Sequence, residues 1–449
     1  MNRQQTQEMV KIAVPAVLES MVSVIIASID TKMISALGKP AISAVSFTTQ
    51  PKMIFFAIFY ALGTAASVFV AQAFGKKDKK EANGYFQMIL FIAVILSIVL
   101  GAFAVFFAEP IMRLCNRQQD TLSMSVSFFR IIMMFLIFHA LSTVLNSSLR
   151  GIGKTKVTLI SNIAMGITDI IFNYLLIEGH LGFPRLEIVG DAIATVLGTA
   201  AALTVSIFFI VKESDFLSLR GIFNKSRLTE SDIFNNVCSK AGDIVIENLF
   251  TRIGFLLSSI ILSGLSSAQT AVYSVGMILM NYSFAFGDGI QSAVVSLTGR
   301  SMGAKKYDEL KQYIRVGIVI GVICALGLSF LYISGARWYF GLFFKDTEAI
   351  SEGVTTSMII ALITLLQIVR IICIGSMRGM GETKDPQRIS TICVFAFNPL
   401  LSLLFTMVIP LGIWGIWLSS FITQFVWFLM GMLLCRRHIR RLGRNAAAS

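Results

Sequence analysis

The segment Arg150-Gly151-Ile152-Gly153-Lys154-Thr155-Lys156 returns as Arg378-Gly379-Met380-Gly381-Glu382-Thr383-Lys384, half a chain further on. The same offset pairs Gly75-Lys76-Lys77 with Gly303-Ala304-Lys305, and Glu19 with Glu247. In a chain of 449 residues, a half-length offset means one folding unit made twice and fused. In a membrane chain such repeats mark carriers whose binding site lies at the repeat interface.

That the setting is a membrane follows from the apolar content. The chain is 55% hydrophobic, has a mean hydropathy of +0.76 and is only 14% charged, against roughly 25% in soluble domains. A span needs about 20 apolar residues, and twelve such stretches are read near 10–35, 46–74, 85–108, 121–148, 157–178, 188–212, 236–263, 269–299, 312–334, 348–374, 387–409 and 412–435. At these lengths only helices satisfy their backbone in lipid. The expected fold is an all-α polytopic membrane protein, with twelve transmembrane helices in two six-helix bundles related by pseudo-two-fold symmetry. Residues 1–212 form the first lobe, 213–233 a cytoplasmic linker, and 234–449 the second lobe with a basic tail.

Charge sets the orientation. Basic residues crowd alternate loops: Lys76, Lys77, Lys79 and Lys80; Arg150, Lys154 and Lys156; Lys212, Arg220, Lys225 and Arg227; Arg300, Lys305, Lys306 and Lys311; Arg378, Lys384 and Arg388; Arg436, Arg437, Arg440, Arg441 and Arg444. The opposite loops hold Lys39, Arg113, Arg117, Arg185, Arg337 and Lys345. This asymmetry places both termini in the cytoplasm of an inner-membrane protein. The net charge of +13 is spread over these loops, which argues against nucleic-acid binding. The six cysteines form no C-x-x-C pair, and the three histidines, His139, His180 and His438, are scattered, so neither a metal site nor a catalytic cluster is expected. The Gly-Lys-Thr at 153–155 is no phosphate loop: Ser148 stands where a glycine is required, and the second copy replaces Lys154 by Glu382.

Chemistry is expected of the carboxylates within the spans. Asp30 lies in the middle of the first span, where a carboxylate costs about 2.5–3.5 kcal/mol on insertion scales and so rarely lacks a role. The alternative is a neutralised structural couple with Lys32, which is weakened because residues two apart do not face each other on a helix. Asp169 and Asn173 stand one turn apart on one face of the fifth span, able to hold a proton network or to offer oxygens to sodium. Thr195 in the sixth span adds a hydroxyl, or packs a small-residue helix contact. In the second half, Glu247 and Asp288 are candidates for a substrate or second cation site, and Gly287 and Gly289 beside Asp288 predict a helix irregularity there. Pro15, Gly63, Gly166, Gly276 and Pro399 read as close packing or as bending points. His139 reads as hydrogen-bonded packing.

Several segments together resemble the MATE (multidrug and toxic compound extrusion) transporters: Asp30-Thr31 in the first span, Val70-Ala71-Gln72-Ala73-Phe74-Gly75-Lys76-Lys77-Asp78 at the end of the second, the Arg150 to Lys156 loop, Asp169 to Tyr174, and Gly190-Asp191-Ala192-Ile193-Ala194-Thr195. The order of acid and amide in the fifth span is reversed from that of many relatives. The resemblance implies a V-shaped pair of bundles exporting organic, often cationic or amphipathic, compounds by antiport with protons or sodium. It gives Asp30, Asp169, Asn173 and Thr195 the cation-coupling role and likens Glu247 to the second-lobe acid of one branch of the family. Neither an enzyme nor a cofactor is expected beyond the coupling ion, H+ or Na+. The expected partners are a small organic substrate and the bilayer, with the chain working as a monomer. The alternative is a flippase or exporter of a lipid-linked or dedicated metabolite, which would want a basic cavity. The acids Asp30, Asp169, Glu247 and Asp288 favour cationic cargo instead.

Overall fold

A computed structural model describes residues 3–115, 119–213, 215–220, 231–262, 265–409 and 411–448, and no strand occurs among them. The helices are α1 (Arg3–Ser35), α2 (Lys39–Lys76), α3 (Lys79–Phe106), α4 (Ala108–Cys115), α5 (Gln119–Met134), α6 (Leu136–Gly151), α7 (Thr155–Leu176), α8 (Glu187–Glu213), α9 (Ser231–Leu262), α10 (Ser267–Gly303), α11 (Tyr307–Gly341), α12 (Thr347–Gly379), α13 (Lys384–Ser390), α14 (Asn398–Leu403) and α15 (Ile413–Ala448). Two π-helical stretches, Thr391–Phe397 and Leu404–Val408, flank α14. Ten helical segments among the described residues are long and apolar enough to cross a membrane, and the bent pair α5–α6 makes an eleventh. The remaining expected span corresponds to α10, which is long enough at 37 residues but carries Asn281, Tyr282, Ser283, Asp288 and Gln291 along its middle. Apolar side chains stay exposed in bands, such as Ile98, Val99 and Phe103 on α3 and Leu326, Phe330 and Leu331 on α11. Patches of that extent suit contact with lipid and not with water.

The repeat is visible in the backbone. At the end of α6, Gly153 has φ +73°, its N–H donates to Arg150 O at 2.8 Å, and Lys154 N–H reaches Leu149 O at 2.9 Å. At the end of α12, Gly381 has φ +92°, with matching bonds from Gly381 to Arg378 O at 2.8 Å and from Glu382 to Met377 O at 2.9 Å. Both are helix stops closed by a residue in the left-handed region, where glycine has no Cβ penalty. The other recurring turn does this without glycine: Lys77 and Lys305 have φ +58° and +57°. Asp78 then caps α3 by accepting from Glu81 N–H at 2.9 Å. The Gly-Lys-Thr segment is thus a helix–turn–helix corner and not a phosphate cradle.

The chain divides into two compact units, residues 21–245 and residues 1–20 with 246–449. The cuts fall inside α1 and α9. In the first of these, α2 packs on α3, α5 and α6, and α8 on α5, α6 and α7, around a core that includes Phe59, Phe86, Phe129, Met133, Leu136 and Leu149. In the other, α12 packs on α10, α11 and α15, around Phe340, Ile360, Ile363, Ile372 and Trp417. Of the expected linker, Asp215–Arg220 is described and is clasped by α3: Asn83 Nδ2 donates to Phe216 O at 2.9 Å and Gln87 Nε2 to Arg220 O at 2.9 Å. Residues 214 and 221–230, with Lys225 and Arg227, lie outside the described residues, as does Arg117.

One expectation changes. The helix is unbroken through Gly287 and Gly289: a Cβ on Gly287 would meet Ile371 and one on Gly289 would meet Val17, so these glycines serve close packing. Gly63, Gly166 and Gly276 likewise face Ser147, Ile26 and Trp417. The irregular backbone lies elsewhere, at the 52° bend between α5 and α6 and in the π-helical turns beside Pro399. Proline lacks the N–H that an α-helical turn uses, so a neighbouring carbonyl is released to pair differently.

Candidate functional site

α1 is 33 residues long, about 50 Å at 1.5 Å per residue, so it exceeds the roughly 30 Å hydrocarbon core. Asp30 therefore lies not at its middle but in the last two turns before its end at Ser35. Asp169 and Asn173 fall in the last two turns of α7, while Asp191 and Thr195 fall near the start of α8. All five gather at the end of the 21–245 unit opposite the basic turns that follow α2 and α6.

The four expected coupling residues come together there. Asn173 Nδ2 donates to Asp30 Oδ1 at 2.7 Å. Asp169 lies within charge reach of Asp30, with Thr195 beside it. Lys32 is exposed and takes no part. Two residues join that the sequence reading left out of the site. Asp191, fully buried, brings its carboxyl against that of Asp30. Lys52 of α2 lies within charge reach of all three acids. Asp191 had a signal available, since it stands one turn from Thr195 inside the Gly190–Thr195 motif. Lys52 had none beyond being a charge inside a span.

The site is rich in acceptors and poor in donors. Asp169 Oδ1, Asn173 Oδ1 and both oxygens of Asp191 are buried with no hydrogen-bond partner among the described residues. A buried acceptor left in that state costs about 1–3 kcal/mol, so each such group asks for an explanation. Two carboxyls in contact form a hydrogen bond only when one of them carries a proton. The chemistry this arrangement suits is the reversible uptake of a cation. His139 stacks on Phe56, with centroids 3.7 Å apart, and stands edge-on to Tyr60. Its Nε2 has no hydrogen-bond partner among the described residues, and the ring is held by these aromatic contacts.

The second pair of candidates does not converge. Glu247 is buried and fully engaged: Arg378 Nη2 donates to it at 2.7 Å and Ser390 Oγ at 2.7 Å. Asp288 is exposed on α10, within charge reach of Arg370. Arg370 itself is 3% exposed, stacks over the Trp427 ring at 3.5 Å and donates from Nε to Gln424 Oε1 at 3.0 Å. Each unit also carries a basic residue among its spans, the half-buried Lys52 in one and the buried Arg370 in the other.

A family model described as MatE matches residues 15–175 and again 244–404, one match to each copy of the repeat. The chain is 24% identical over 432 residues to the "Uncharacterized transporter YisQ" of Bacillus subtilis, covering 95% of this chain and 93% of that protein. It is 22% identical over 449 residues to the "Probable multidrug resistance protein NorM" of Thermotoga maritima, covering 97% and 96%. In fold it is similar to the outward-facing conformation of a multidrug resistance MATE family transporter of the MOP superfamily, with a TM-score of 0.89, 18% identity and coverage of 98% and 96%.

Proposed function

The chain belongs to the MatE family, and from that premise we propose that it is a cation-coupled antiporter. It exports organic, cationic or amphipathic compounds across the inner membrane, with both termini cytoplasmic and the monomer as the working unit. The observation that carries this reading is the acceptor-rich cluster of buried Asp169, Asn173 and Asp191 with half-buried Asp30, set in a membrane helix bundle with more oxygens than donors. A proton or sodium ion arriving down its gradient satisfies those oxygens. The cation-loaded and cation-free clusters then favour different helix arrangements, and cargo release is tied to that difference by exchange of free energy. The names of the relatives point to a broad range of drugs as cargo.

The test is efflux of ethidium from cells, or its uptake into inverted vesicles, with proton and sodium gradients imposed separately on wild type and Asp30→Asn. Gradient-driven movement that disappears in the variant supports the antiporter and names its ion. A wild type that moves no cationic dye under either gradient sinks the cationic-cargo reading. One observation favours a second reading, a flippase or exporter of an anionic, lipid-linked or dedicated metabolite: Arg370 is buried and hydrogen-bonded only through Nε among the described residues. Transport of an anionic amphiphile that Arg370→Gln abolishes would establish it.

A further inference from the structure

The last helix, α15, ends in a face of unanswered charge. Its apolar run from Ile413 to Cys435 rises about 34 Å at about 1.5 Å per residue, enough for the roughly 30 Å hydrocarbon core. Phe425, Leu429 and Leu433 are exposed along it at four-residue spacing, and the exposed Arg437 and Arg441 continue the same row. Arg436 and Arg440 flank that row. Leu433 and these four arginines line an open recess of about 460 Å³.

The opposite side of this helix end is fixed to its own unit. Cys435 and His438 are buried, and His438 Nε2 donates to Asp385 Oδ2 of α13 at 2.7 Å. That bond sets the rotation of the helix, turns the arginines outward, and holds them at the end of the unit that carries the basic turn after α12.

We propose that the recess binds the headgroup of an anionic phospholipid, with its phosphate oxygens taken by the guanidinium forks and an acyl chain lying along Leu433, Leu429 and Phe425. Three observations carry it. First, the charge has no acid beside it. None of the four arginines forms an ion pair or hydrogen bond with another described residue, and the chain holds no Asp or Glu beyond Asp385. Basic residues elsewhere in the unit do find acids: Lys306 meets Glu309 at 2.8 Å, Lys311 meets Asp308 at 3.0 Å and Arg378 meets Glu247 at 2.7 Å. Like charges one turn apart, Arg436 with Arg440 and Arg437 with Arg441, destabilise a helix, so the arrangement calls for a counter-anion.

Second, the depth fits. Arg436 to Arg441 cover the next ~8 Å of helix, about the thickness of a headgroup layer, directly beyond an exposed apolar row. A phosphate tethered to acyl chains satisfies both parts of this face, whereas a free anion leaves Leu433 bare at 65% exposure. Arginine suits the ligand, because its planar fork takes two phosphate oxygens at once. Third, the repeat does not require it. The equivalent positions in the first copy hold Phe208, Phe209, Lys212 and Glu213, so this helix end can be built without an arginine cluster.

The experiment is native mass spectrometry of the purified full chain in detergent, titrated with phosphatidylglycerol or with the neutral control phosphatidylcholine. The chains compared are wild type, R436Q/R437Q/R440Q/R441Q, and the control K305Q/K306Q/K311Q/R315Q, which removes as many charges from another basic stretch of the same unit. Expected is retention of phosphatidylglycerol over phosphatidylcholine by wild type and by the control, with affinity lowered by about 100-fold in the arginine variant. Equal retention of the two lipids by wild type overturns the proposal, as does an arginine variant that binds like wild type or a control that loses as much. Displacement of the bound lipid by inorganic phosphate alone also overturns it, since the site would then recognise a free anion. Should the fourfold variant aggregate, R436Q/R440Q and R437Q/R441Q decide: each is expected to lose about tenfold, and an unchanged affinity in both sinks the idea. The measurement needs neither cargo nor gradient, so its outcome is independent of the exporter reading.

Discussion

Helix α7 and its repeat partner, the stretch from Lys384 to Val408, descend from the same element and have become opposites. α7 is an unbroken α-helix carrying Asp169 and Asn173 into a charged cluster. Its partner passes through two π-helical turns around α14 and carries no charge there. A π-turn accommodates one extra residue, which places Asn398 opposite Asp169 and Ser402 opposite Asn173, while the repeat offset sets Ser258, Ser419 and Thr423 against Asp30, Asp191 and Thr195. These form a neutral network: Asn398 Nδ2 donates to Ser258 Oγ at 3.1 Å, Thr423 Oγ1 to Asn398 Oδ1 at 3.4 Å, and Ser402 and Ser419 hydroxyls meet at 2.6 Å. One copy of the repeat closes its polar groups on one another; the other leaves acceptors open. The reverse holds for the preceding element. The segment 119–151 is bent by 52° between α5 and α6, whereas its counterpart 347–379 is the single helix α12. A duplicated unit evidently tolerates one irregular helix per copy, at different places.

If this contrast is functional, substitutions in the two units should differ in kind. The largest effect is expected at Glu247. Removing it by Glu247→Ala leaves the half-buried Arg378 without its carboxylate, a loss of about 3 kcal/mol, the low end for breaking a buried pair, read as a lowered thermal-unfolding midpoint in detergent. The ion dependence of transport by the surviving folded protein should be unchanged, and a changed dependence would move the coupling site into this unit. Asp30→Asn should reverse the pattern: folding is retained while gradient-driven dye efflux falls by about 100-fold, the upper range of coupling between sites. Asp191→Asn leaves Asn173 on Asp30 but withdraws one carboxyl of the pair. Efflux should fall by about tenfold, equivalent to about 1.4 kcal/mol, and its pH profile should lose a step; a profile identical to wild type refutes a role for Asp191. The smallest effect is expected from Thr423→Val in the neutral network, about 1 kcal/mol of stability for one lost hydrogen bond, with transport unaltered. Should Thr423→Val instead impair transport as Thr195→Val does, the two networks are equivalent and the contrast fails.

The site was partly legible. Asp30, Asp169, Asn173 and Thr195 stood out because a carboxylate or its partner within an apolar run is costly, and cost is a local property. Asp191 and Lys52 carry the same local cost but were not tied to the site. Their meaning comes from facing acids that are far away in the chain. Glu247 was singled out as a candidate second-site acid, but its partners Arg378 and Ser390 lie 131 and 143 residues on, and without them a structural ion pair and an open acid look alike.

Hydropathy, the half-chain repeat and the glycine-terminated turns are written into short stretches of chain, because membrane insertion and left-handed backbone act on residues one after another. These sufficed for an all-helical, twice-built membrane protein. Which charges neutralise one another, where helices bend or take a π-turn, and which oxygens stay without donors are set by contacts between helices. Such contacts exist only once distant segments are packed side by side, and they separate the acid cluster of one unit from the closed network of the other.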